Sequence, residues 1–190
     1  MVKNWCENEP VMFGKGIRQA LYWAYSMAGI SPGKGNPIIA MMMDKQDGYI
    51  DDYEPSLINL SGLSDIEVFG EAAGIRGIVE REVTDKQKHY LWAKYAHYQA
   101  PEKMFGMLYL VRDLTQCAES SPSVMADCTW YAVCTDRQRI SCPAEKIGKK
   151  HSLPRTTIEY YVRLIRKNIE EVELQAFDIL RPIFAMGGMI

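Results

Sequence analysis

The stretch Ile147 to Val162, IGKKHSLPRTTIEYYV, decides how this chain is read. Its small, apolar and polar positions fall where two helices joined by a sharp turn need them. Gly148 stands at the expected crossing, where only a hydrogen or a methyl fits, and Ile147 beside it is apolar, as a buried contact requires. His151-Ser152-Leu153 supplies the turn, with Leu153 as the plug beneath it. Pro154 has the fixed backbone angle suited to the first position of a helix. It also stands where Ser or Thr ordinarily caps, so the cap moves to Leu153 or is lost, at a cost of roughly 1 kcal/mol. A start displaced by one residue turns the outward face by about 100°. Ile158, Val162 and Ile165 then give the second helix a buried stripe.

What remains faces outward. Arg155, Thr156, Glu159, Tyr160, Arg163, Arg166 and Lys167 lie on that side of the second helix, and Lys149 and Lys150 precede the turn. In a helix-turn-helix the second helix enters the major groove of DNA. Arg pairs two donors with guanine acceptors, Thr and Tyr bond phosphate or base edges, and Glu accepts from cytosine. These nine residues are the candidate DNA-binding set, with double-stranded DNA as the expected partner. Glu159 is also spaced to pair with Arg163 four residues on.

Charge supports the same reading. From Arg137 to Lys167 there are nine basic residues (Arg137, Arg139, Lys146, Lys149, Lys150, Arg155, Arg163, Arg166 and Lys167) against Glu145 and Glu159. That local excess of seven positive charges sits in a chain of net charge −2, leaving −9 for the rest. A basic block on a mildly acidic protein focuses attraction for phosphate on one face. An ordinary solvated helix surface has the same composition, and the coincidence with the turn motif is what favours DNA.

The segment Ala144 to Lys167, AEKIGKKHSLPRTTIEYYVRLIRK, resembles the promoter-reading helix-turn-helix of primary sigma factors, with Gly148-Lys149 and Arg155 in matching places. More broadly, Thr129 to Phe184 resembles the C-terminal part of phage late-gene antitermination proteins of the Q type. The shared order is a short helix, an Arg-containing connector, the helix-turn-helix and a long final helix ending near a Leu and a Phe. The likeness covers roughly a third of the chain, and the paired Cys zinc ligands of some Q-type proteins are absent here. It implies antitermination through RNA polymerase.

Outside the motif the chain reads as helices. Residues 11 to 28 form an amphipathic segment through Ile17, Leu21, Ala24 and Ala28, followed by a loop over 29 to 37. Residues 38 to 43 suit a buried helical turn or a strand. Ser64 followed by Glu67 is a capping box, predicting a helix from Asp65 to about Glu82. Thr84 caps the next helix, Pro101 opens one through about Ala118, and Val124 to Thr135 is another. The expected fold is therefore all-α. Ser120 to Ser123, SSPS, divides it into a helical assembly or partner-binding region, 1 to 120, and the helix-turn-helix region with its long final helix, 121 to 190.

That final helix carries Ile158, Val162, Ile165, Ile169, Val172, Ala176, Ile179 and Ile183 at alternating spacings of four and three, a heptad seam. It suits either a homodimer that sets two reading helices on two half-sites, or packing against the chain's own helices. Tyr161, Leu164, Leu174, Phe177 and Leu180 widen the apolar surface and imply more than one neighbour, favouring the second reading. Pro182 is expected to stop the helix near Arg181.

Other constellations are weaker. Cys128, Cys134, Cys142 and His151 contain no CxxC pair, so neither a metal nor any other cofactor is expected. Asp44, Asp47, Asp51 and Asp52 with Gly48 lack the ligand alternation and closing Glu of a calcium loop. Gly14-Lys15-Gly16 and Gly33-Lys34-Gly35 lack the Ser or Thr of a phosphate loop. His89 and His97 lie among Tyr90, Trp92, Tyr95 and Tyr98, with no nucleophile or carboxylate spaced to make a catalytic base, so an enzyme is the least supported class. No run of about 18 apolar residues and no signal-peptide pattern is present, and five Cys in a chain of this length fit a reducing cytoplasm with no membrane partner. The expectation is a sequence-specific DNA-binding transcription regulator of phage or prophage type. The alternative is a helical interaction protein that inhibits a host complex without reading DNA.

Overall fold

The computed structural model describes residues 12–13, 16–27, 63–97, 100–118, 120–133 and 144–190. Among them the chain is all-helical: α1 (Ile17–Met27), α2 (Asp65–Glu82), α3 (Asp85–Tyr95), α4 (Pro101–Ala118), α5 (Pro122–Val133), α6 (Ala144–His151) and the long C-terminal α7 (Arg155–Met186). No helix among these residues is long and apolar enough to cross a membrane.

Local chemistry starts most of these helices. The Ser64 hydroxyl accepts from the Glu67 N–H while the Glu67 carboxylate accepts from the Ser64 N–H, completing the expected capping box at α2. Thr84 and Gln87 repeat the arrangement at α3, so two orphan donors are satisfied at each start. Pro101 and Pro122 occupy the first positions of α4 and α5, where a missing N–H costs nothing. Ser121 also accepts from Val124 N–H, and α5 begins two residues earlier than expected.

The helices enclose two apolar clusters. One gathers α1, α2, part of α3 and the C-terminal half of α7, around Trp23, Ile75, Leu91, Phe177 and Phe184. The other gathers Tyr90 and Ala93 of α3 with α4, α5, α6 and the N-terminal half of α7, around Leu110, Leu114, Met125, Ile158 and Ile165. The sequence boundary near residue 120 falls between α4 and α5, two helices that share the second cluster. Gly106 is where α4 meets α3: an added Cβ would come within 2.4 Å of Ala93 N and 2.6 Å of the His89 carbonyl oxygen.

The seam on α7 is filled by the chain itself. Ile158, Val162, Ile165, Ile169, Val172 and Ala176 are buried as expected, but Ile179 is 36% exposed and Ile183 only partly covered. Glu173, Phe177, Leu180 and Phe184 take over the inward positions. A straight helix of 3.6 residues per turn drifts about 20° per heptad against a 3.5 repeat. The inward face therefore migrates as α7 passes from one cluster to the other, which a two-stranded coiled coil does not require.

Pro182 does not stop α7. The helix runs on to Met186 with Pro182 inside it. Pro182 is exposed, as are Asp178 and Arg181 beside it, so the carbonyl it leaves without a donor is on the solvent side. Phe184 is fully buried in the turn beyond, and its packing outweighs the loss. The end is sealed by Met189 N–H to the Phe184 carbonyl, and the Met189 carbonyl in turn accepts from Phe13 N–H at 2.9 Å.

Candidate nucleic-acid interface

The unit that carries the candidate site is α6, a turn over 152–154, and the first turns of α7. His151 ends α6 and does not belong to the turn. Leu153 N–H reaches back to the Gly148 carbonyl at 2.9 Å and Ser152 N–H to the Lys149 carbonyl at 3.4 Å. Ser152 sits at a φ of 54°. This is a Schellman closure with Ser in the left-handed position that glycine usually fills. Leu153 packs against the second apolar cluster beneath the turn, as a plug should. A Cβ on Gly148 would lie 2.7 Å from the Leu153 carbonyl oxygen, so even a methyl does not fit there. Pro154 is the N-cap of α7, outside the first helical position, and no side chain caps the helix. The cap is lost, because proline offers no hydroxyl and its neighbour Leu153 is turned inward.

Asp127 of α5 pins this unit to the rest of the protein. Its Oδ2 accepts from Lys150 Nζ at 2.7 Å and lies 2.6 Å from His151 Nε2. Burial pushes the Asp127 carboxyl up, but Lys150 and His151 outweigh it and leave it below the ordinary carboxylate range. Cys128 next to it is fully buried, its thiol pushed up to about 12 by burial and then by the Asp127 charge. Cys134 and Cys142 lie outside the described residues, as do the Asp44 to Asp52 turn and Gly33-Lys34-Gly35. Among the described residues no three His, Cys, Asp or Glu side chains gather as metal ligands.

Of the nine residues singled out from sequence, Lys149, Lys150, Arg155, Thr156, Tyr160, Arg163, Arg166 and Lys167 are exposed, and Glu159 is partly so. The seven on α7 fall within an arc of about 140° at 100° per residue. Ile158, Val162 and Ile165, which fall outside that arc, are buried. Tyr160 is 59% exposed, its ring tilted against that of Tyr161 at 5.8 Å.

The electrostatics are more mixed than the local charge count. Lys149 pairs with Glu145 at 2.7 Å, Lys150 with Asp127 at 2.7 Å, and Lys167 with Glu171 at 3.7 Å. Arg155 Nε donates to Glu159 Oε1 at 2.6 Å. Glu159 thus pairs with the Arg before it in place of Arg163, the partner expected from spacing. Helical side chains lean toward the N-terminus, where the helix dipole also favours a carboxylate. Arg163 has no ion-pair partner among the described residues. Asp127, which holds the end of α6, escaped sequence reading because it lies 23 residues from Lys150 on another helix. No spacing rule connects the two.

Comparison with protein-family models finds no match, and neither does comparison with curated proteins.

Proposed function

We propose that this chain is a sequence-specific regulator of transcription that reads double-stranded DNA through the first turns of α7. The observation that carries the reading is the exposed polar arc of Arg155, Thr156, Tyr160, Arg163, Arg166 and Lys167, backed by a helix face buried in the chain's own core. In a helix-turn-helix the reading helix offers one free side to the groove while its other side is held by the rest of the unit. Exposed ion pairs such as those of Lys149 and Lys167 are worth little, so phosphates compete for these cations readily. The resemblance to Q-type proteins extends the proposal to a phage or prophage antiterminator acting in the cytoplasm with RNA polymerase. A homodimer, if DNA reading uses one, forms away from the seam between Ile158 and Ala176, whose residues are covered within one chain.

Selection of bound fragments from a phage or host genome tests the proposal. An enriched sequence family whose binding is lost in Arg163→Ala supports it, and recovery of unenriched DNA counts against it.

One observation favours the second reading, a helical interaction protein that inhibits a host complex. Met104, Phe105 and Leu108 are each nearly three-fifths exposed on one face of α4, and exposed apolar groups of this size are characteristic of protein contacts. Size measurement with and without duplex DNA, followed by pull-down of host proteins, separates the two readings.

A further inference from the structure

A carboxylate within a surface meant for phosphate calls for a physical reason. Glu159 repels the DNA backbone, and its pairing with Arg155 does little for folding because both side chains are solvated, 67% and 41% exposed. The geometry of the pair supplies the reason. Glu159 holds Arg155 through Nε, the nitrogen next to the stem. The two terminal amino groups of the guanidinium lie beyond that contact, at the end of the planar fork. Guanine presents O6 and N7 side by side on its major-groove edge, and an Arg reads them through two parallel N–H bonds. An Arg side chain that swings freely must lose rotamer freedom to reach a base, whereas one already gripped is preorganised. Glu145, the other nearby carboxylate, is committed to Lys149 at 2.7 Å.

We propose that Glu159 is a positioning residue that presents the Arg155 fork to guanine, so that the N-terminal turn of α7 selects a G·C base pair. The inference rests on the DNA-reading proposal and adds the chemistry of one base step to it. Glu159 touches no base in this arrangement. Its effect on recognition passes through Arg155.

The test uses the full chain as wild type, Glu159→Ala, Glu159→Gln and Arg155→Ala, each selected against a random-sequence duplex library. Affinities are then measured on the wild-type consensus and on duplexes altered at each position in turn. Equal helical circular dichroism for all four proteins establishes that they are folded. The wild type is expected to enrich a motif with one G·C position that Arg155→Ala no longer distinguishes. Glu159→Ala should lower discrimination at that same position roughly tenfold and leave the other positions alone. Glu159→Gln, whose amide oxygen still accepts from Nε, should keep part of it.

Two outcomes overturn the proposal while leaving DNA reading intact. In one, Glu159→Ala changes preference at a different base pair, which means that Glu159 reads a base itself. In the other, Glu159→Ala strengthens binding to every duplex equally with the guanine preference unchanged, which means that it only repels phosphate. A wild type that enriches no motif ends both proposals, and then Arg155→Ala behaves as the wild type does.

Discussion

Glu173 is 1% exposed in the middle of α7, yet two cationic side chains lie against its carboxyl group. Its carboxylate accepts from Arg18 of α1 at 3.0 Å, from Lys94 of α3 at 2.7 Å and from the Tyr95 hydroxyl. Burial, and then the Glu173 charge, push the Tyr95 hydroxyl well above its ordinary range, so it stays a donor. Three helices are therefore joined through one side chain. Removing one member of a buried ion pair costs about 3 to 5 kcal/mol. Arg18 and Lys94 keep partial contact with solvent, so Glu173→Ala should cost about 2 to 4 kcal/mol, read as a lower urea midpoint. A change within 0.5 kcal/mol would mean that the cluster is not formed in solution. Ser152 shows the opposite imbalance. It is held at a positive φ that L-residues adopt at a cost of about 1 to 2 kcal/mol. Part of that is returned through the freer unfolded state of glycine, so Ser152→Gly should gain about 0.5 to 1 kcal/mol and raise the melting temperature.

At the scale of elements, helix starts follow from side chains within one turn, whereas helix crossings and ends depend on neighbours. Ser64 with Glu67 and Thr84 with Gln87 specify the starts of α2 and α3 by reciprocal bonds that span three residues, and this is why they were legible beforehand. Pro182 was misread because the rule that proline ends a helix weighs only the lost donor and the clash. Interior proline costs about 3 kcal/mol, and Phe184 packing holds the helix against it. Pro182→Ala should thus stabilise by about 1 to 3 kcal/mol with little change in helical circular dichroism; a marked gain in helicity would mean that α7 ends before Pro182 in solution. Gly106 marks an approach that no periodicity reveals. Its missing Cβ lets α4 rest on the backbone of α3 at Ala93, and backbone cannot rotate aside. Gly106→Ala should cost about 2 to 3 kcal/mol in thermal or chemical unfolding, and a neutral substitution would refute that crossing.

At the scale of the whole molecule, α7 is shared by two apolar clusters, so the helix that carries the candidate reading face is held along most of its length. If about five phosphates are contacted, log affinity should fall with log salt at a slope near −4.5. A slope near zero in a salt titration would mean that the arc does not meet a phosphate backbone. The sequence by itself determined the helical class, the spans of α2 and α4, a turn between α6 and α7 to within one residue, and the outward arc of α7. Each depends on bonds and periodicity within a few residues. Only tertiary structure decided that Asp127 grips the end of α6, that Glu173 is buried, that the heptad seam from Ile158 to Ala176 is consumed inside one chain and that α7 survives its proline. Those outcomes are set by which helices lie against each other, and charge and packing across such contacts carry no signature in residue spacing.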